Sequence, residues 1–295
     1  MRIGKGSTGA GSMITAHGHV TSCRTARERN HQRGTSMSDE LLFYREGDGG
    51  ISTARIDDQG TFTNLKDGRV NAGWTRIVPT NGSLLFYRAS DGGISTARVD
   101  DQGTFTNLKD GRVNPNWTRI IPTNKNLLFY RASDGGISTA KIDDQGTFTN
   151  LKDGRVNAGW THIVPTDGTL LFYREGDGGI STARIDDQGT FTNLKDGRVN
   201  AGWTHIIPTN GNLLFYRASD GGISTAKIDD RGTFTNLKDG RVSPNWTSIV
   251  PTNRNLLFYR ANDGGISTAT IDDQGIFTNL KDGRVNPNWT HITPA

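Results

Sequence analysis

Apolar and polar residues alternate in short runs along the chain, and the runs recur in a fixed order. Between Trp74 and Lys109 the apolar runs are "WTRIVP", "LLFYRA", "ISTARVD" and "TFTNLK", and they are separated by "TNGS", "SDGG" and "DQG". Asn-Gly and Gly-rich segments between such runs indicate tight turns, and alternation with a period of two indicates β-strands. The pattern predicts four short antiparallel strands, followed by a longer irregular connection, "DGRVNPN".

The four-strand pattern repeats along the chain at one interval. "LLFYR" begins at positions 41, 84, 127, 170, 213 and 256, which are 43 residues apart, and every aromatic residue occupies a repeat position. A period of this length is typical of a stacked array or ring, because one unit cannot bury its own apolar face. A four-stranded meander every 40–45 residues or so is typical of a β-propeller blade.

The two ends of the repeat region predict that the array closes. The first repeat opens on a second strand at Leu41, and the last ends on a first strand, "WTHITPA", from Trp289 to Ala295. The last strand is expected to complete the first blade and to hide the edges that an open array would expose. We therefore predict an all-β fold, a closed, monomeric six-bladed β-propeller of four-stranded antiparallel blades over residues 37–295. The predicted core positions of the first repeat are Leu42, Phe43, Ile51, Ala54, Ile56, Phe62, Leu65 and Ile77.

Residues 1–36 share none of these features. They contain no aromatic residue and carry a formal charge of about +5, which leaves about −1 for the repeats out of the whole-chain +4. This composition predicts a disordered basic tail or a start codon assigned too early, with Met37 as the alternative start. No apolar run has the length of a signal peptide core or of a membrane span. Cys23, the only cysteine, lies in this segment. The expectation is a protein that is cytoplasmic, or released without a recognisable signal peptide.

Symmetry and motif content argue against catalysis. An enzyme needs different groups that converge on one point, whereas near-identical blades offer the same groups six times. The sequence has no nucleophile elbow, phosphate-binding loop or zinc-protease motif. His162, His205 and His291 share their repeat position with Arg76, Arg119 and Ser248, so we interpret these histidines as strand-surface residues. We predict that the protein is not an enzyme and that it has no cofactor.

Six equal sites are suited to multivalent binding, because weak contacts gain avidity on a repeated ligand such as a glycan-coated surface. In a propeller the inter-blade link and the second turn of each blade emerge on one face, so "DGRVNAGW" should lie near "YREGDGG". Arg, Asp and Asn can hydrogen-bond to sugar hydroxyls, and Trp can stack on a sugar ring. The candidates include Arg45 and Asp67 in the first repeat. The predicted carbohydrate-binding residues are Trp74, Trp117, Trp160, Trp203, Trp246, Trp289, Arg69, Arg112, Arg155, Arg198, Arg241, Arg284, Asn71, Asn114, Asn157, Asn200, Asn286, Asp48, Asp91, Asp134, Asp177, Asp220 and Asp263.

Other interpretations of these residues stay open. The tryptophans can pack between blades, the aspartates can serve as turn residues, and the arginines can pair with carboxylates. A protein-interaction scaffold without a small-molecule ligand is the alternative function. Calcium binding by "EGDGG" and "IDDQG" is a weaker one, because "ASDGG" supplies a single carboxylate in most copies. A repeat region of nearly zero net charge does not favour nucleic acid as a partner.

The repeats also resemble a known family. Segments such as "LLFYRASDGGISTARVDDQGTFTNL" and "GWTHIVP", recurring over residues 41–295, are similar to the actinobacterial and tachylectin-type propeller repeats. Propeller lectins of the tachylectin and tectonin kinds bind amino sugars or methylated sugars in pockets repeated blade by blade. The resemblance therefore implies a propeller fold and a lectin. The six repeats differ from the five blades of tachylectin, and the segments do not match its sugar-contacting motif, so no individual sugar ligands are carried over.

Overall fold

The computed structural model describes residues 40–57, 59–80, 82–123, 125–209, 211–252 and 255–294. The predicted basic tail, Met37 and Cys23 lie outside the described residues, so the domain boundary at residue 37 stays a prediction. The described residues form 24 β-strands. The strands are β1 (Glu40–Arg45), β2 (Gly50–Ile56), β3 (Phe62–Arg69), β4 (Arg76–Thr80), β5 (Ser83–Arg88), β6 (Gly93–Val99), β7 (Phe105–Arg112), β8 (Arg119–Pro122), β9 (Leu127–Arg131), β10 (Gly136–Ile142), β11 (Phe148–Arg155), β12 (His162–Pro165), β13 (Leu170–Arg174), β14 (Gly179–Ile185), β15 (Phe191–Arg198), β16 (His205–Pro208), β17 (Leu213–Arg217), β18 (Gly222–Ile228), β19 (Phe234–Arg241), β20 (Ser248–Pro251), β21 (Leu256–Arg260), β22 (Gly265–Ile271), β23 (Phe277–Arg284) and β24 (His291–Pro294).

The strands form six antiparallel sheets of four strands each, which we number as blades 1 to 6 in the order of their second strands. Blades 2 to 6 each use four consecutive strands, from β4–β7 to β20–β23. Blade 1 has the order β24-β1-β2-β3, with Leu41 opposite Pro294 and Tyr44 opposite His291. The predicted closure by the last strand is therefore confirmed. The fold is a six-bladed β-propeller.

The first strand of every blade lies nearest the central axis. These strands contact one another in a closed cycle of β4, β8, β12, β16, β20 and β24. The fourth strands lie at the outer edge and pair with the third strands alone. A register shift follows Thr53 in blade 1 and its equivalent in every other blade, between the third and fourth strands.

The second strand is apolar on both faces because it packs between two neighbouring blades. In blade 2, Leu84 and Phe86 join a cluster with blade 1, whereas Leu85 and Tyr87 join a cluster with blade 3. This placement explains why "LLFY" shows no alternation of apolar and polar residues, as is usual for strands covered on both sides. Tyr87 and its five equivalents are fully buried. The core of the molecule is thus a series of six inter-blade clusters.

Two details of the predicted elements are wrong. Trp74 lies in the link before β4 rather than in the inner strand, and Asp67–Arg69 belongs to β3 rather than to the link. "DGR" reads as a turn, but it pairs with the start of β2. Six of the predicted core positions are buried, whereas Phe62 and Leu65 on the outer strand are half-buried.

The links vary in sequence but keep one backbone conformation. Gly73, in "NAGW", has a φ of 83°, and Asn116, which takes its place in "NPNW", has a φ of 66°. Glycine and asparagine are the residues that accept this left-handed conformation most readily. Exchange of Ala-Gly for Pro-Asn therefore leaves the path of the link unchanged.

Candidate functional site

Each link lies against the turn between the second and third strands of a blade. The Val70 N–H donates to Gly49 O at 2.9 Å, and the Gly73 N–H donates to Glu46 O at 3.0 Å. Equivalent bonds occur in the other blades, such as that from Val113 N–H to Gly92 O at 2.9 Å. A Cβ atom on Gly92 would lie 2.0 Å from Val113 O, so this close approach requires glycine. The structure therefore brings the predicted segments together on one face of the ring, which we call the link face.

The tryptophans of the links pack between blades. Trp117 is 7% exposed and lies in the cluster shared by blades 2 and 3. Its backbone N–H donates to Tyr87 Oη at 2.9 Å, and Tyr87 Oη donates to Asn114 O. Trp289, at the closure of the ring, is half-buried, whereas the other five tryptophans are buried. The tryptophans thus pack between blades, which is one of the interpretations that the sequence leaves open.

An arginine from the adjacent turn covers each tryptophan ring. The Arg131 guanidinium carbon lies 5.3 Å from the centroid of the Trp117 ring, which is a cation–π contact, and the same contact recurs in all six blades. In blade 1 the arginine is Arg45, and it covers Trp289. The ring faces expected to stack on sugars are therefore occupied by guanidinium groups.

The covering arginine also holds the turn aspartate. Arg131 donates from Nε and Nη2 to the two carboxylate oxygens of Asp134 at 2.9 and 2.8 Å, and the Gly136 N–H donates to the same carboxylate at 3.0 Å. These hydrogen bonds, that from Arg131 above all, lower the pKa of Asp134 well below its usual range. In blade 1 the equivalent bonds lower the pKa of Asp48 to about 2. The aspartates of this turn are thus ionised at neutral pH.

A second arginine, from the end of the outer strand, approaches the same aspartate from solvent. Arg155 Nη2 lies 3.5 Å from Asp134 Oδ2, and the Arg155 side chain is 72% exposed. Equivalent pairs occur in all six blades at 3.4 to 3.9 Å. We name the set of tryptophan, covering arginine, aspartate and outer arginine the rim cluster of a blade.

The predicted asparagines border the rim cluster and are exposed. The backbone oxygen of Asn157 accepts a hydrogen bond from Tyr130 Oη at 3.2 Å. In the one link that has serine instead, Ser243 O accepts the same bond from Tyr216. The fold therefore uses the backbone at this position and leaves the asparagine side chains for other contacts. Asp67 lies apart on β3, where its carboxylate accepts a bond from Asn64 Nδ2 at 3.5 Å.

The position that follows "WT" proved different from its interpretation as a strand surface. All six residues are half-buried, and the arginines and histidines among them donate to a backbone oxygen of the next blade. His162 Nε2–H donates to Thr204 O at 2.9 Å, and His291 Nε2–H donates to Thr75 O at 3.1 Å. Burial lowers the pKa of His162 to about 4. One sequence feature could have indicated this axial position. The residue after "WT" is Arg, His or Ser in different repeats, whereas the residues on either side of it hardly vary.

Within the described ranges, no group of three or more His, Cys, Asp or Glu side chains is arranged to hold a metal ion. In the part of the chain that the structure describes, no helix has the length and apolar character needed to cross a bilayer.

Neither a family model nor a curated protein matches this chain. Solved structures do resemble it. A candidate 6-phosphogluconolactonase from Bacteroides fragilis has a TM-score of 0.57 and 15% identity over 84% of this chain and 82% of its own. The periplasmic gluconolactonase of Pseudomonas aeruginosa has a TM-score of 0.54 and 13% identity over 84% and 96%. A chain of a nidogen–laminin complex has a TM-score of 0.54 and 13% identity over 86% and 97%. At such identities the likeness shows the fold alone.

These likenesses correct one prediction. We predicted that the protein is not an enzyme, chiefly because its blades repeat. Two of the similar propellers carry the names of lactonases. The prediction is corrected: a propeller of repeated blades does not exclude catalysis, because proteins named as lactonases share this architecture. The tachylectin-type resemblance finds no counterpart among these matches and stays a prediction.

Proposed function

We propose that the protein is a multivalent carbohydrate-binding protein that uses the six rim clusters as equivalent sites. The observation that carries this proposal is the recurrence of one exposed polar arrangement in every blade. Each site offers an exposed outer arginine and an ionised aspartate on the same face, and five of the six add an exposed asparagine, with Ser243 in the remaining link. Such groups donate to and accept from vicinal hydroxyls.

The tryptophan has a supporting role in this proposal. Because the covering arginine lies over the ring and binds the aspartate through two hydrogen bonds, the tryptophan fixes the position of the aspartate. A sugar would then contact Asp134, Arg155 and Asn157 in blade 3, and the equivalent residues elsewhere. Weak single sites gain about 10²–10⁴ in avidity when one surface engages several of them.

The ring is proposed to act as a monomer. Its outer strands end in "NLKDGR", which is rich in charge and exposed. Charged outer strands discourage edge-to-edge pairing between molecules. Six sites on one monomer then face the same direction, as a repeated ligand requires.

The test is a glycan array with the full chain and a variant in which all six outer arginines become alanine. The changed residues are Arg69, Arg112, Arg155, Arg198, Arg241 and Arg284. A matched control replaces the lysine three residues earlier on the same strands with alanine, which removes the same charge. These residues are Lys66, Lys109, Lys152, Lys195, Lys238 and Lys281. We expect binding to a defined glycan that is lost in the arginine variant and retained in the lysine variant.

Equal binding by the parent and the arginine variant would contradict the proposal. If the folded parent protein binds no glycan on the array, the alternative function, a protein-interaction scaffold, is favoured. Circular dichroism and a thermal melt of each variant establish that the ring is folded before the comparison is made.

A further inference from the structure

The blades differ in charge at one ring of positions around the axis. These positions begin the first strands at the link face, and they are Arg76, Arg119, His162, His205, Ser248 and His291. All six are half-buried. A ligand on the axis would be equally close to all six blades. It can bind nearer to some blades than to others only if the axial residues of those blades differ.

The histidines of this ring have their hydrogen-bonding groups occupied. His162 uses Nε2–H toward Thr204 O at 2.9 Å, and its Nδ1 lies 3.1 Å from Thr161 Oγ1. His205 makes the equivalent contacts with Thr247 O at 3.2 Å and Thr204 Oγ1 at 3.0 Å. Since burial also lowers the pKa of both histidines, they are neutral at pH 7.

The two arginines lie in consecutive blades and are not satisfied in this way. Arg76 donates to Thr75 O at 2.6 Å and to Thr118 O at 3.2 Å, whereas Arg119 donates to Thr161 O alone. A guanidinium has five N–H donors, so both groups keep donors to spare. Among the described residues, no carboxylate lies at ion-pairing distance from either group.

Their mutual proximity adds an electrostatic cost. The pKa of Arg119 is lowered first by burial and then by the positive charge of Arg76. Two like charges in a partly desolvated place, with no carboxylate paired to them in the described part of the chain, favour the binding of an anion.

The two glutamates of the adjoining turns lie outside the arginine blades, and the other four blades have alanine at this position. Glu46 and Glu175 occur in blades 1 and 4, where the axial residue is histidine. Blades 2 and 3, which carry the arginines, have Ala89 and Ala132 there. The field of Glu46 acts on His291, and that of Glu175 acts on His205. The turns of the two arginine blades thus lack this glutamate, and their remaining carboxylates, Asp91 and Asp134, are already bound by Arg88 and Arg131.

We propose that Arg76 and Arg119 form a single oxyanion-binding site at the link-face end of the central axis. The ligand class is a carboxylate or a tetrahedral sulfate- or phosphate-like group, which a guanidinium pair can bind through parallel N–H donors. This site is independent of the rim clusters and differs from them in number, one against six.

The test is calorimetric titration of the full chain with sulfate at low ionic strength, and then with acetate. Sulfate probes the tetrahedral class and acetate the carboxylate class. The variant is Arg76→Ser with Arg119→Ser, because Ser248 shows that the ring accepts serine at this position. The control is Lys227→Ser on the exposed side of β18. We expect one site per chain for at least one of the two anions, weakened at least tenfold in the double variant and unchanged in the control.

A second variant, Arg76→Lys with Arg119→Lys, keeps both charges and removes the paired donors. We expect it to bind less tightly than the parent and more tightly than the serine variant. The absence of saturable binding for both anions, a stoichiometry near six, or equal loss in the Lys227→Ser control would overturn the proposal. The basic N-terminal segment is common to every variant, so it cannot produce the expected difference.

Discussion

The rim clusters and the axial ring lie on the same face of the propeller and show opposite patterns of variation. The rim repeats the same arginine, aspartate and tryptophan in all six blades, whereas the axis carries two arginines, three histidines and one serine. At the rim, six separate sites can each hold the same group. At the axis the six blades converge, so differences between their axial residues produce a single site that lacks sixfold symmetry. Repetition thus favours a repeated ligand at the rim, and divergence favours a single one at the axis.

The largest effect is expected from the tryptophan beneath a rim cluster. We expect Trp160→Ala to lower the free energy of unfolding by about 3–5 kcal/mol, because it empties a buried inter-blade position. Trp289→Ala should cost clearly less, because that ring is only half-buried. Urea denaturation of both variants measures the difference. Equal losses would show that the closing link packs as tightly as the others.

A smaller effect is expected from the tyrosine that joins link and blade. In Tyr130→Phe the buried Trp160 N–H loses its acceptor and Asn157 O loses its donor. An unsatisfied buried group costs about 1–3 kcal/mol, so we expect a loss of that order. The same change in any other blade should give the same value, which tests the equivalence of the rims directly. A loss of stability that differed widely from blade to blade would show that the six rim clusters are not equivalent.

The buried axial histidine should make the free energy of unfolding depend on pH. The pKa of His162 is lowered to about 4 from 6.5. Between these values the unfolded chain binds a proton that the folded chain does not, so stability falls as the pH decreases from 6.5 to 4. His205 and Arg119 face the same place and add to the electrostatic cost. We expect His162→Ser to remove on the order of 1 kcal/mol of this pH-dependent loss. Denaturation curves at pH 7 and pH 4.5 measure it, and an unchanged difference would contradict a buried neutral histidine.

The smallest effect on stability is expected at the exposed outer arginines. Arg112 is 71% exposed and lies 3.4 Å from Asp91, which Arg88 already binds through two hydrogen bonds. We expect Arg112→Ala to change the free energy of unfolding by less than about 0.5 kcal/mol. Thermal melts check this value. A large loss would mean that the outer arginine is structural, and it would weaken its assignment to ligand binding.

The architecture was predictable from the sequence because its causes are local and repeated. Hairpin turns, alternating strands and a fixed period define a blade, and the last segment of the repeat region, "WTHITPA", predicts the closure that β24 makes. The strand ends were less predictable. "DGR" has the composition of a turn, yet pairing with β2 extends β3 through it.

The sequence predicted on which face of the ring the candidate residues lie, but it did not predict the contacts between their side chains. Turn and link were expected on one face, and the structure brings them together. Nothing in the spacing of Trp117, Arg131 and Asp134 indicates that the guanidinium would cover the ring and bind the aspartate at the same time. That arrangement depends on the packing of neighbouring blades. The axial contacts of His162 escaped prediction for a similar reason, because its partner, Thr204, is 42 residues away on the next blade.

The pairing of β24 with β1 has a mechanical consequence. Leu41 and Pro294 stand opposite each other at one end of this strand pair, and Tyr44 and His291 at the other. A pulling force applied between residues 40 and 294 would load the hydrogen bonds one after another, as in opening a zipper, instead of all at once. We expect the ring to open at low force at this pair, with the remaining blades following as their inner neighbours are exposed.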